Sequence, residues 1–227
     1  MNTRKTKNPL LTRHERRKAR TRRRLLDAAR VVIARSGYDT ASVRDITDEA
    51  DVSKATFYLH FKDKEALTRT LILEGFDALR AELDASLAAT AGPAPDPHER
   101  LRNALSVVFR YAAANRDLFG IMLGRQASAE LNLMALEYFT ATVTDLLVRY
   151  ADILDQQEFL PDLLANFVTG AGVRLGMWWI EDGQDLTPEQ MADIMYRLLA
   201  EGMLGISART NPSDSQHAET SERQRGQ

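Results

Sequence analysis

The stretch from Thr40 to Lys64, TASVRDITDEADVSKATFYLHFKDK, constrains the chain more than any other. Val43, Ile46 and Ala50 recur at helical spacing, Asp51 falls where the chain must turn, and Phe57 and Phe61 follow four residues apart. Ser42 and Ser53 stand at N-cap positions, where a side-chain oxygen accepts from first-turn amides that have no other partner. The stretch therefore predicts two short helices joined by a tight turn, the second bearing polar and aromatic residues outward, as in a helix-turn-helix.

Charge is distributed as that motif requires. The net charge of the 227 residues is only −2, yet residues 1–64 hold 17 Lys/Arg against 8 Asp/Glu, and the rest hold 13 against 24. A basic first quarter on an acidic body suits a polyanion-binding module. Solubility alone would also tolerate such a split, but would not place the positive charge beside the helix-turn-helix. Residues 1–24 carry eleven Lys/Arg and one acid, Glu15. Self-repulsion and scarce apolar residues predict that much of this segment is unordered, either lying along phosphates or serving as an inconsequential tail.

The recognition helix has a legible face. With Phe57 inward, ~100° per residue puts Ala55 and Leu59 on the opposite side, flanked by Thr56 and Tyr58, with Lys54 and His60 nearer the rim. Small and apolar groups suit close approach to a groove and contact with thymine methyls, while Thr56 suits a base edge or a phosphate.

The other segments are helical by pattern. Leu25, Leu26, Ala29, Val32 and Ile33 make one stripe from about Arg20 to Ser36, ended by Gly37 as a left-handed cap. Asp63 caps a long helix to about Ala89, and Gly92-Pro93-Ala94-Pro95 breaks the chain. Asp96-Pro97-His98-Glu99, Asp117, Ser128, Pro161 and Thr187-Pro188-Glu189-Gln190 each open a further helix. The expected architecture is all-α, about nine helices without a strand. It comprises a basic disordered arm (1–19), a helix-turn-helix domain (20–64), a helical body (65–207) and a disordered polar tail (208–227).

Leu25 through Leu67, with its DAA…GY…TASVRDI start, its VSKATFYLHF stretch and its KDKEAL entry to the next helix, resembles the N-terminal domain of the TetR family of bacterial transcriptional regulators. The turn departs from the family pattern, with Asp51 where glycine is usual; Asp tolerates left-handed geometry better than most residues. The resemblance implies DNA contact by Lys54, Ala55, Thr56, Tyr58 and His60, by Thr40, Ser42 and Arg44 around the second helix, and by Lys64 on a phosphate; the helical face adds Leu59 to the groove side. It also implies a homodimer, in which the last two helices pair across a two-fold axis. Leu163, Phe167, Ala171 and Leu175 on one helix and Met191, Met195, Leu198 and Leu199 on the next would form that interface. A dimer matches an inverted-repeat operator of double-stranded DNA with half-sites ~34–36 Å apart. GVRLGMWWIEDGQDLTPEQMADIMYRLLAEGMLG also resembles a C-terminal region found in part of the family.

Family members commonly enclose a small-molecule effector in the body. Phe76, Phe109, Phe119, Met122, Met134, Phe139 and Trp178 are available to line such a pocket, or to serve as plain core. The expected function is that of an effector-responsive repressor; an effector-independent or architectural DNA-binding protein is the alternative. An enzyme is disfavoured. Cysteine is absent, and His14, His60, His98 and His217 are scattered without a nucleophile, a metal cluster or a phosphate loop. No cofactor is expected. Without a signal peptide or an apolar run of ~18 residues, the expected location is the cytoplasm, with no membrane partner.

Overall fold

The structure, a computed structural model, describes residues 12–89, 96–125, 127–149, 161–182 and 185–207. Among them lie nine helices and no strand: α1 (Arg13–Ser36), α2 (Val43–Glu49), α3 (Lys54–Tyr58), α4 (Lys64–Ala89), α5 (Pro97–Ala114), α6 (Arg116–Leu123), α7 (Ala129–Arg149), α8 (Pro161–Glu181) and α9 (Pro188–Ser207). The first part of the basic arm, the Gly92–Pro95 break and the tail 208–227 fall outside the described residues.

Contacts divide the chain into two compact units, Met1–Arg80 with Asn115–Phe139, and Ala81–Ala114 with Thr140–Gln227. The first is larger than a helix-turn-helix domain ending at residue 64, because α6 and the first half of α7 belong to it. Its buried residues include Leu25, Leu26, Ala29, Val32 and Ile33 of α1 and Ile46, Phe57, Phe61, Leu67 and Ile72 of the helices that follow. A forked link ties α1 to α6. The Arg30 guanidinium donates to both carboxylate oxygens of Asp117 and, at 3.1 Å, to Asn115 Oδ1. Partial burial pulls the Asp117 carboxyl up, but the hydrogen bonds and charge of Arg30 outweigh it and hold the group below the usual carboxylate range. On α4, Arg69 reaches Glu130 of α7 at 2.8 Å.

The start of α1 corrects the sequence expectation. The helix begins at Arg13, not near Arg20, because Thr12 and Glu15 form a reciprocal capping box. Two orphan amides satisfied at once outweigh the repulsion that predicts disorder there. At the other end, Gly37 has the positive φ expected of it (81°) but an extended ψ of 159°, so the chain leaves α1 outward instead of curling in a left-handed cap. Glycine alone adopts that region readily.

Asp51 adopts the left-handed backbone, with φ 49°. Arg24 of α1 secures this turn, donating to Ala50 O at 2.5 Å and Asp51 O at 3.1 Å, with the Asp51 carboxylate at 3.4 Å. The cation thus closes the carbonyl end of α2, where the helix dipole is negative. Asp51→Gly is expected to raise the thermal midpoint by roughly 2–4 °C, and Asp51→Val to lower it by at least as much, since β-branching is worst at positive φ. Equal midpoints for the two variants in a thermal melt would remove backbone strain as the determinant.

The second unit is built on α5, which packs most extensively on α9 and also on α8. Phe109 meets the edge of Trp179 at 5.7 Å, and the Trp179 indole N–H donates to Leu186 O at 2.8 Å. The Thr187/Gln190 pair forms the anticipated capping box at the start of α9. One feature of α7 departs from the sequence reading. Over Ala129–Val148 it is long and apolar enough, by length and composition, to cross a bilayer. Within it Glu130 pairs with Arg69 and Leu131 and Ala135 are buried, while Leu133 and Val148 are exposed.

Candidate nucleic-acid interface

Local capping sets the geometry of the motif. Ser42 Oγ accepts from the Asp45 amide while the Asp45 carboxylate accepts from the Ser42 amide and hydroxyl, which keeps the Asp45 carboxyl below its ordinary value. Ser53 Oγ accepts from the Thr56 amide and lies 2.9 Å from the Thr56 hydroxyl. Phe57 is fully buried and packs on Phe61 at 6.0 Å, which fixes the rotation of α3. The opposite face is then presented outward: Lys54 and Ala55 are exposed, Tyr58 is 58% and Leu59 77% exposed. Tyr58 is held edge-on by Phe57 at 5.3 Å. Thr40, Ser42 and Arg44 are also exposed, with Arg44 3.6 Å from Asp48 one turn along α2.

Two rim residues behave differently from the outward four. The Lys64 ammonium turns back into the domain, donating to Tyr38 O at 2.5 Å and Ala41 O at 2.7 Å and resting 4.3 Å over the Tyr38 ring. Burial lowers its pKa, opposed in part by Asp39. This clamp joins the α1–α2 loop to the start of α4. Lys64→Met is therefore expected to lower the thermal midpoint by roughly 3–6 °C while leaving the salt dependence of DNA binding unchanged. An unaltered melt with a shallower salt slope would instead place Lys64 on a phosphate. His60 is half-buried, and its Nδ1 has no hydrogen-bond partner. Burial, then the charges of Lys18 and Arg22, lower its pKa and favour the neutral imidazole.

The residues expected at an effector pocket are drawn from both compact units. Phe76, Phe119, Met122, Met134 and Phe139 belong to the first compact unit, Phe109 and Trp178 to the second. In the first, Phe76 stacks on Tyr138 at 3.9 Å with an interplanar angle of 3°, and Phe139 meets Phe76 edge-on and Phe119 face-on. Tyr138, absent from the sequence expectation, is central to this cluster and donates its hydroxyl to Phe76 O. Met122 is buried, and Met134 receives an Arg69 N–H on its sulfur. In the second unit Phe109 is buried against Trp179, whereas Trp178 faces away and lines a groove between α8 and α9.

That groove encloses about 490 Å³ and is lined by Phe167, Ala171, Arg174, Leu175, Trp178, Met195, Leu198 and Leu199. Of the residues expected at a dimer interface, Leu163 (58%), Phe167 (60%) and Leu198 (61%) are widely exposed, and Ala171 and Leu175 are accessible. Met191, Met195 and Leu199 are buried, and of these Met195 and Leu199 line the groove.

Comparison with known proteins places this geometry. Residues 25–71 match the model of bacterial regulatory proteins of the tetR family, and residues 99–201 that of a transcriptional regulator C-terminal region. The HTH-type transcriptional repressor DhaR of Mycobacterium sp. (strain GP1) is 34% identical over 38% of this chain and 42% of its own length, so the chain matches less than half of that relative. An uncharacterised HTH-type transcriptional regulator of Bacillus subtilis (strain 168), YdgC, is 23% identical over 80% of this chain and 94% of its own. Among solved structures, the regulator FadR from Bacillus subtilis in complex with stearoyl-CoA superposes with a TM-score of 0.65 at 23% identity, covering 78% of this chain and 96% of that one. The capped helix-turn-helix, the all-helical architecture and both matched regions lead to one conclusion: the chain belongs to the TetR family of DNA-binding bacterial transcriptional regulators.

Proposed function

We propose that the chain is a homodimeric repressor that occupies an inverted-repeat operator and leaves it when a small molecule binds the helical body. The observation that carries the DNA-reading half is the outward face of α3, where Ala55, Tyr58 and Leu59 are exposed in a basic domain and anchored from behind by buried Phe57. An exposed tyrosine and leucine side by side in a basic domain suit a groove wall with thymine methyls. The dimer follows from the apolar groove of α8 and α9, whose natural occupant is the same groove of a second copy, since an isologous contact matches apolar to apolar. Two such chains, each presenting one α3, span half-sites ~34–36 Å apart. Selection from a random duplex pool followed by footprinting tests this. Two protected half-sites in inverted orientation are expected, whereas enrichment of no sequence would overturn the reading.

The effector is the least constrained part. FadR of Bacillus subtilis was solved with stearoyl-CoA, so long-chain acyl-CoA is the first compound to titrate. A true effector must bind free and DNA-bound protein with different affinity. The effector-independent reading is favoured by one feature, the mutual packing of Phe76, Tyr138, Phe139 and Phe119, which serves these rings as core. Unchanged operator affinity in the presence of saturating acyl-CoA would support that second reading for this compound class.

A further inference from the structure

The capping box at Thr12 converts a run of arginines into a helical stripe. Arg13, Arg16, Arg17, Arg20 and Arg24 are spaced by three, one, three and four residues, and at ~100° per residue they fall within one arc of roughly 100° on α1. Arg24 ends the stripe, and its grip on the Ala50 and Asp51 carbonyls shows where the arc faces: the side of the turn that leads into α3. Lys18 and Arg22 lie on the other side of α1, roughly 150–170° from the centre of the stripe, close enough to His60 at the end of α3 to lower its pKa, and the Arg22 guanidinium sits 4.9 Å over Phe61. The first three turns of α1 therefore run beside the recognition helix.

The cations of α1 divide into two classes. Arg22 and Arg23 meet Glu74, Arg23 also meets Asp27, and Arg30 meets Asp117. Arg13, Arg16, Arg17 and Arg20 are exposed and meet no carboxylate among the described residues. Glu15, the one acid within reach in sequence, is engaged at the cap, where Thr12 lowers its pKa. Like charges one turn apart destabilise a helix, so this stripe is held against its own repulsion with no internal partner to offset it.

We propose that the stripe is a second phosphate-binding surface, which lies along the duplex beside each half-site and grips the backbone of the DNA whose bases α3 reads. The inference rests on the DNA-binding reading above. Its geometry suits a duplex: arginines one turn apart (Arg13 and Arg16, Arg17 and Arg20, Arg20 and Arg24) are offset by ~4.5–6 Å along α1, against one phosphate per ~3.4 Å of axis on each strand. Guanidinium forks bind phosphate in a bidentate manner. The surface carries no base-edge contacts, so it adds affinity and salt dependence and leaves sequence preference to α3.

The test uses the full chain and the duplex that the wild-type protein enriches from a random ~40-base-pair pool, either trimmed to the footprinted half-sites or kept with ~10 further base pairs on each side. The comparison is between the wild type and a quadruple R13Q/R16Q/R17Q/R20Q variant, with the corresponding four-lysine variant as the charge-retaining control; glutamine and lysine both keep high helix propensity. For the long duplex, the magnitude of the log affinity versus log salt slope is expected to fall by up to about 7 in the glutamine variant, for eight lost contacts per dimer, and to stay near the wild-type value in the lysine variant. At ~0.15 M salt the glutamine variant should lose at least about tenfold affinity for the long duplex, and the advantage of long over trimmed duplex should vanish. A glutamine variant of wild-type helicity whose slope and flank advantage match the wild type would overturn the proposal while leaving the repressor reading intact. If the wild-type chain enriches no duplex, the repressor reading falls and the proposal with it.

Discussion

Glutamate at both Phe167 and Leu198 is expected to turn the dimer into monomers and to lower affinity for an inverted repeat by at least ~100-fold, with the helical far-UV signal unchanged. Both side chains are more than half exposed in the isolated chain, so the substitution removes little from the protomer core. In an isologous interface each change counts twice, and burying one large apolar side chain is worth about 1.5–3 kcal/mol. Four lost apolar contacts, replaced by four carboxylates that would have to be desolvated, shift the dimer equilibrium by on the order of 5 kcal/mol or more. The loss at DNA follows because two tethered half-site contacts become independent. Light scattering after gel filtration gives the mass, and a titration on the selected duplex gives the affinity. A double variant that keeps the dimer mass would place the interface elsewhere on the chain.

The double change Tyr58→Ala with Leu59→Ala is expected to collapse discrimination between operator and random duplex by roughly 100-fold or more, with little effect on the melt. These residues are outward, 58% and 77% exposed, and neither belongs to the Phe57–Phe61 core that orients α3. A lost base-edge or methyl contact costs about 1–3 kcal/mol, and each is made once per half-site. The ratio of the two affinities is the informative quantity. Parallel falls on operator and random duplex would show that this face touches backbone only, and would move base reading to Lys54, Ala55 and Thr56.

The sequence was most informative where local rules decide the structure. Ser42, Ser53 and the Thr187/Gln190 pair cap where their spacing indicates, because a cap depends on three or four neighbours and nothing distant. Asp51 takes the left-handed turn for the same local reason. Thr12-Arg13-His14-Glu15 carried the same signature, but the surrounding charge outweighed it in the reading of the sequence. Long-range partners were not legible. Nothing in the order of residues says that Arg24 closes the turn at Asp51, that Arg30 meets Asp117, or that Lys64 spends its charge on the Tyr38 and Ala41 carbonyls. Trp178 and Trp179 show the limit of periodicity: neighbours ~100° apart in a broadly apolar helix can exchange roles, and only packing against Phe109 selects Trp179 for the core.

The Arg30–Asp117 fork has a practical consequence for anyone wishing to transplant the operator specificity of this regulator. A chimera joined at residue 64 would follow the motif boundary, yet it would leave Arg30 facing whatever the recipient offers in place of Asp117 and Asn115. Arg69, just beyond that junction, would likewise lose Glu130 if α7 came from the recipient. The transferable part is discontinuous in sequence: residues 12–80 need 115–139 as a second insert. A graft built from both pieces should keep its melt and its operator, whereas one built from the first alone should misplace α1 and lose register between the two half-sites.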